Sequence, residues 1–198
     1  MIHLISGLMN SGKTLLMVKY GFFNFLRGRT IYSNFGLNFP HKLINSDFLL
    51  YIGKEQPSLD NCCFLLDELW LYLGDSRNSM SENNKLLSYF MLQSSKDMNL
   101  EIFITAQNVS QNDKRIKQNF HKLSYCSRFL RNEKGKFVKL SEDKRFLEKE
   151  KQERLYIEEK LFFNHYGGLK MKGKPLYHKA NLWFGLYDTQ QKIKSEIK

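Results

Sequence analysis

The chain is poor in the residues that break or staple a fold: its 198 residues include 3 prolines, 3 cysteines and 2 tryptophans. Few prolines leave long stretches free to form regular elements. Cys62 and Cys63 are neighbours inside an apolar run and Cys126 stands far off, which fits neither a disulfide framework nor metal-ligand spacing. All three read as reduced core residues. Long hydrophobic runs are missing as well. The richest stretch, CCFLLDELWLYL over 62–73, is broken by Asp67 and Glu68, so nothing reaches the roughly 18 to 20 apolar residues that a membrane helix needs. The opening MIHLISG lacks a basic flank and does not read as a signal peptide, so a cytoplasmic protein without a membrane span is expected. Acidic residues are also in short supply.

The 20 Asp and Glu face 31 Lys and Arg, a net charge of +11 that favours a polyanionic partner, nucleic acid first. The excess leans toward the carboxyl end, where Lys170, Lys172 and Lys174 open a lysine-rich stretch that runs to Lys198. What the chain has in plenty is apolar mass. Hydrophobic residues make up 42% and aromatic residues 14%, with 16 Phe, enough for a core and incompatible with wholesale disorder. The length suits one domain over 1–198.

Residues 1–6 form a short apolar stretch, and from Gly12 the apolar residues recur at three and four, giving strand, loop and helix in order. Gly28 ends the helix, and RTIYSNF (29–35) reads as a second strand. Connecting structure with one short helix is expected from Gly36 to Asp60. CCFLLDE is an unbroken apolar run, which suits a strand buried on both faces of a parallel sheet. Residues 82–96 have a helical pattern, IFITAQ (102–107) is another buried strand, and 113–119 could form a turn or two of helix. His121–Arg131 with Phe137–Leu140 reads as a hairpin. This alternation predicts an α/β fold with a central, mostly parallel sheet flanked by helices. Residues 1–140 read as the core. Ser141 to about Phe163 is rich in Glu and Lys and reads as a solvated helix, followed by a basic segment returning to the core.

GLMNSGKT, residues 7–14, matches G-x-x-x-x-G-K-[ST] between an apolar strand and a helix, the context its chemistry requires. Backbone N–H groups of such a loop curl around phosphates at the positive end of the helix. Gly7, Asn10, Ser11, Gly12, Lys13, Thr14 and Leu15 are therefore the candidate ATP contacts. Lys13 would reach the outer phosphates, and the Thr14 hydroxyl would ligate Mg²⁺. At the end of a buried strand, FLLDE supplies Asp67 for the metal and Glu68 as the base for an attacking water. Gln107 ends a further buried strand, at the edge where open α/β sheets bind ligands, and could sense the γ-phosphate. Thr105 and Asn108 are secondary candidates.

Taken in order, GLMNSGKT, FLLDE, IFITAQ, RIKQNFHKLSYCSRF (115–129) and YDT (187–189) resemble the FtsK–HerA superfamily of DNA-pumping P-loop ATPases, of RecA-like, ASCE type. The similarity spans residues 2 to about 189. It is strongest to the viral genome-packaging branch and to the zonular occludens toxin-like assembly ATPases of filamentous phages, the latter through RTIYSNFGL and DELWLYLGDSR. The resemblance implies a hexameric ring on double-stranded DNA, a capsid or portal vertex partner, location in the host cytoplasm or with the virion, and an arginine finger from the neighbouring subunit. Where related chains often place that arginine, this one has Lys122, which leaves Arg115, Arg128 and Arg77 as candidates. Toxin-like relatives usually carry a membrane helix after the ATPase domain, so its lack here points to packaging. Extrusion at a membrane, a small-molecule (nucleotide) kinase, and a nucleotide-dependent scaffold without turnover are the rival expectations.

Overall fold

A computed structural model describes residues 1–55, 59–68, 99–107, 120–140, 153–165 and 168–187. The elements are β1 (Ile2–Ser6), α1 (Lys13–Leu26), β2 (Thr30–Ser33), β3 (Lys42–Leu43), α2 (Ser46–Glu55), β4 (Cys62–Leu66), β5 (Glu101–Ala106), β6 (Lys122–Arg131), β7 (Phe137–Lys139), β8 (Leu155–His165), β9 (Gly168–Met171) and β10 (Leu176–Lys179). Two 3₁₀ turns follow, Ala180–Leu182 and Phe184–Leu186.

The strands join one sheet in the order β10-β8-β6-β1-β5-β4-β2-β3, with β7 on the flank of β6 and β9 on that of β8. From β6 through β1, β5, β4 and β2 to β3 every pairing is parallel. This is the α/β architecture read from the sequence. The unbroken apolar run of β4 follows from its place in the middle. Cys62, Phe64 and Leu66 enter the apolar cluster on one face, while Cys63 and Leu65 enter the cluster that α1 covers on the other. All three cysteines are buried and outside any disulfide. The β6–β7 hairpin forms as expected.

The solvated helix expected up to Phe163 is not what the chain does there. Leu155–His165 is β8, antiparallel to β6 from Leu130↔Leu155 to Lys122↔Phe163; residues 141–152 lie outside the described set. The charges in LYIEEKLFFNH mislead because Glu159 is fully buried beneath α1. Its carboxylate accepts hydrogen bonds from Tyr20 at 2.7 and 2.8 Å, from His178 Nε2 at 2.8 Å and from Ser124 Oγ. Burial would raise its pKa, but these donors prevail and hold it well below the usual carboxylate range. Lys19 Nζ donates to His178 Nδ1 at 2.6 Å, so Nε2 carries the proton given to Glu159. Ser124 spends its proton on Glu159 and therefore accepts from His3 Nε2 at 2.7 Å.

The segment after β10 lies against the α1 side. Ala180, Trp183, Phe184, Leu186 and Tyr187 pack into the cluster that holds Phe35, Leu37 and Phe39. Leu37 and Tyr187 form an isolated β-bridge. No helix of the described residues is long and apolar enough to cross a membrane.

Candidate functional site

The loop of residues 7–12 leaves β1 and turns straight into α1. Gly12 stands at φ 92°, a left-handed conformation that costs an L-residue about 1–2 kcal/mol, and a Cβ there would lie 2.7 Å from Ile157 Cδ1. At Gly7 a Cβ would meet Ser11 Oγ at 2.5 Å and the Cys126 carbonyl at 2.6 Å. Both glycines therefore serve close packing against β6 and β8. The first turn of α1 has no side-chain cap and no acidic residue, so its leading N–H groups are left for an anion. Ser11 is buried, and among the described residues its hydroxyl oxygen has no hydrogen-bond partner, an unmet polar atom in the cradle itself. Asn10 is exposed at φ 60°. Leu15 sends its side chain into the core and has only its main chain to offer a phosphate.

Lys13 is 7% exposed and its ammonium donates to the Leu8 carbonyl at 2.9 Å. Burial lowers its pKa, against the pull of Asp67, Cys126 and Glu68. The Thr14 hydroxyl lies 3.2 Å from each carboxylate oxygen of Asp67. Burial raises the Asp67 pKa, and Glu68 adds to it, against hydrogen bonds from Thr105 and Thr14 and the charge of Lys13. Tyr187 stands close enough to feel that charge; burial first, and Asp67 next, push its hydroxyl up to about 12.

Glu68 follows at φ 46°. One hydroxyl ties the pair: Thr105 Oγ1 donates to Asp67 Oδ1 and accepts from the Glu68 N–H at 2.9 Å. Gln107 Nε2 donates to Glu68 Oε1 at 3.2 Å. Lys13, Thr14, Asp67, Glu68, Thr105 and Gln107, read from three separate stretches of sequence, thus sit together at the carboxyl ends of β1, β4 and β5.

Sequence reasoning passed over Asn34 as a chemical residue. It lies just beyond β2, and its side-chain amide donates to the Asp67 carbonyl while its amide oxygen accepts from the Asp67 N–H, both at 2.8 Å. Its contact reaches across from β2 to the end of β4, and no motif in the sequence signals it. Of the arginine-finger candidates, Arg128 lies on β6 opposite Ile157, half-buried, with its pKa lowered by burial. Arg77, Arg115 and also Asn108 lie outside the described residues. Lys122 opens β6 with its ammonium 5.6 Å from the Phe163 ring centroid.

No family model and no curated protein sequence matches the chain. Solved structures do. The amino-terminal domain of zonular occludens toxin from Neisseria meningitidis superposes with a TM-score of 0.55 at 16% identity, covering 97% of this chain and 95% of that one. The genome-packaging NTPase B204 from Sulfolobus turreted icosahedral virus 2, in complex with ATP-gammaS, gives 0.51 at 12% identity over 88% and 98%. The fold is that of the P-loop NTPases. A KaiC-like protein from Pyrococcus horikoshii, at 0.50 and 12% identity over 89% and 83%, has it as well. Identities this low speak for the fold and leave the activity to the site.

Proposed function

We infer that the chain is a Mg²⁺-dependent ATP hydrolase of the FtsK–HerA type, working as a homohexameric double-stranded DNA translocase that loads a viral genome into a preformed capsid. The observation that carries the ATPase reading is the meeting of Thr14 with Asp67 and of Gln107 with Glu68 at the mouth of an uncapped helix. Fold likeness to a virus packaging NTPase and the +11 charge support the translocation reading.

The residues fit the groups that they would hold. The buried Ser11 hydroxyl, the leading N–H groups of α1 and the Lys13 ammonium would bind the phosphates. Thr14 and Asp67 would hold Mg²⁺, whose charge offsets the negative charge shared by the outer phosphates. Glu68 would take the proton of the attacking water. Its main chain is pinned by Thr105 and its side chain is oriented by Gln107, so the base is positioned without reorganisation. A neighbour's arginine would stabilise the transferring charge, worth about 10³ to 10⁵ in rate. Turnover per subunit then rises with protein concentration as the ring assembles.

Transfer to water, with no second acceptor, separates this reading from a nucleotide kinase. The test of translocation is ATP-dependent displacement of a triplex-forming strand from duplex DNA. Displacement by wild type and none by Lys13→Ala supports it. ATP hydrolysis without displacement would move the reading to virion assembly or extrusion through a partner, the role implied by the resemblance of RTIYSNFGL and DELWLYLGDSR to the toxin-like assembly ATPases.

A further inference from the structure

Twelve of the chain's Lys and Arg residues, against four of its Glu, fall in the described stretches 120–140, 153–165 and 168–187, which build the antiparallel end of the sheet. Most of the net charge therefore sits on β6 to β10 rather than around the nucleotide loop. The two faces of this end differ. Strand residues alternate between faces, and Cys126, Leu130, Leu155 and Ile157 point toward α1. Their neighbours Phe129, Tyr156 and Tyr177 therefore point the other way.

On that outer face four rings gather. Phe137 and Tyr177 stack with centroids 4.1 Å apart at 8°. Tyr156 meets Phe137 edge-on at 5.1 Å, and Phe129 meets Tyr177 edge-on at 5.6 Å. Phe137 and Tyr177 each stay 38% exposed, a poor use of two large rings unless something covers them. A second ring pair, Tyr125 with Phe162, lies four residues back along β6, about 13 Å away at 3.3 Å per residue. Tyr125 is 40% exposed. By the same alternation Arg131, Lys139, Lys160 and Lys179 share this face. Among the described strand residues one carboxylate shares the face, Glu158, and it is already engaged, accepting from Tyr177 Oη at 2.9 Å and facing Lys160 at 3.7 Å.

We propose that this outer face of β6, β7, β8 and β10 is a stacking platform for unpaired nucleotides, with the rings taking bases and the surrounding cations taking phosphates. Duplex DNA hides its base faces, whereas a single strand offers them, and each stacked base is worth about 1–3 kcal/mol. Nucleic acid as the partner rests on the reading above; its single-stranded form does not. The platform also shares a strand with the nucleotide loop. Tyr156 belongs to the ring cluster, and the next residue, Ile157, is the one that packs against Gly12.

The test is fluorescence anisotropy of a labelled oligothymidylate, an abasic oligonucleotide of equal length and a duplex, without ATP and in the Lys13→Ala background, so that failure of the ATPase reading leaves the outcome untouched. Oligothymidylate binds more tightly than the other two. Phe137→Ala with Tyr177→Ala lowers that affinity about 10-fold or more and keeps the salt slope, whereas Phe137→Trp restores binding. Lys139→Glu with Lys179→Glu flattens the slope instead. Both rings of the Ala pair are partly exposed, and the single Phe137→Leu exchange, which keeps apolar bulk without a ring, gives the same loss should the pair fail to fold. Equal affinity for the abasic strand, preference for the duplex, or ring variants that change only sedimentation would overturn the proposal. The last of these would make the face a contact between copies of this chain.

Discussion

Asn34 offers a sharp way to ask whether the geometry around Asp67 matters for turnover. It extends the β2–β4 pairing by one side chain, occupying both the N–H and the carbonyl of Asp67 at 2.8 Å. Asn34→Ala removes both partners at once. A buried polar group left without a partner costs about 1–3 kcal/mol, so the two together put the destabilisation at about 2–4 kcal/mol, allowing for some access of water. The effect on catalysis comes from position. Asp67 and Glu68 share this turn, and a carboxylate misplaced by about 1 Å is worth about 10² in rate. Phosphate release at saturating ATP should therefore fall about 100-fold, while binding of a non-hydrolysable ATP analogue stays within a few-fold of wild type. Asn34→Asp sharpens the point. It keeps the acceptor for the Asp67 N–H but sets a carboxylate oxygen against the Asp67 carbonyl, so it should not rescue turnover. An Asn34→Ala protein of lowered stability but wild-type turnover would refute the idea that this clamp positions the two acids.

Three further outcomes follow from the site and the buried network. Lys13→Ala abolishes nucleotide binding, read by titration with a fluorescent ATP analogue, because the P-loop loses its only side-chain cation. Gly12→Ala lowers thermal stability and nucleotide affinity together, since a Cβ would carry a left-handed φ of 92° and press on Ile157; an unchanged melting temperature would contradict the packing. His3 is buried, and burial chiefly, with Lys122 adding to it and Glu159 opposing, pushes its pKa down to about 4 from an ordinary value near 6.5. The unfolded chain therefore binds a proton that the folded chain refuses, and stability falls as the pH drops from about 6.5 to about 4. Between pH 7 and pH 5 urea unfolding should lose about 2 kcal/mol, and His3→Gln should remove that loss.

Much of the site was legible because its chemistry is local in sequence. The glycine loop with Lys13 and Thr14, the Asp67–Glu68 pair at the end of a wholly apolar strand, and Gln107 at the end of another each declare themselves by residue type and context. That they meet follows from β1, β4 and β5 being neighbours, which is a fact of topology and not of spacing. Asn34 was invisible as chemistry because its role is a contact across strands that no motif encodes. β8 failed for a different reason. Strand residues are expected to alternate between apolar and polar, but Glu158, Glu159 and Lys160 interrupt the run, and only Tyr20, Ser124 and His178, distant in sequence, make a buried Glu159 tolerable. The flanking Leu155, Tyr156 and Ile157, with Leu161, Phe162 and Phe163 beyond, carried the strand signal that the charges outweighed.

The measurement that bears most directly on the central claim is phosphate release from Mg·ATP by the assembled protein, with and without double-stranded DNA, for wild type and Glu68→Gln. Wild type should hydrolyse ATP and turn over faster on DNA, whereas Glu68→Gln should bind ATP with Mg²⁺ and stop, since only the base is lost. Wild-type protein that binds ATP yet releases no phosphate at any protein or DNA concentration would contradict a hydrolase, and Glu68→Gln turnover near wild type would take the base assignment from Glu68.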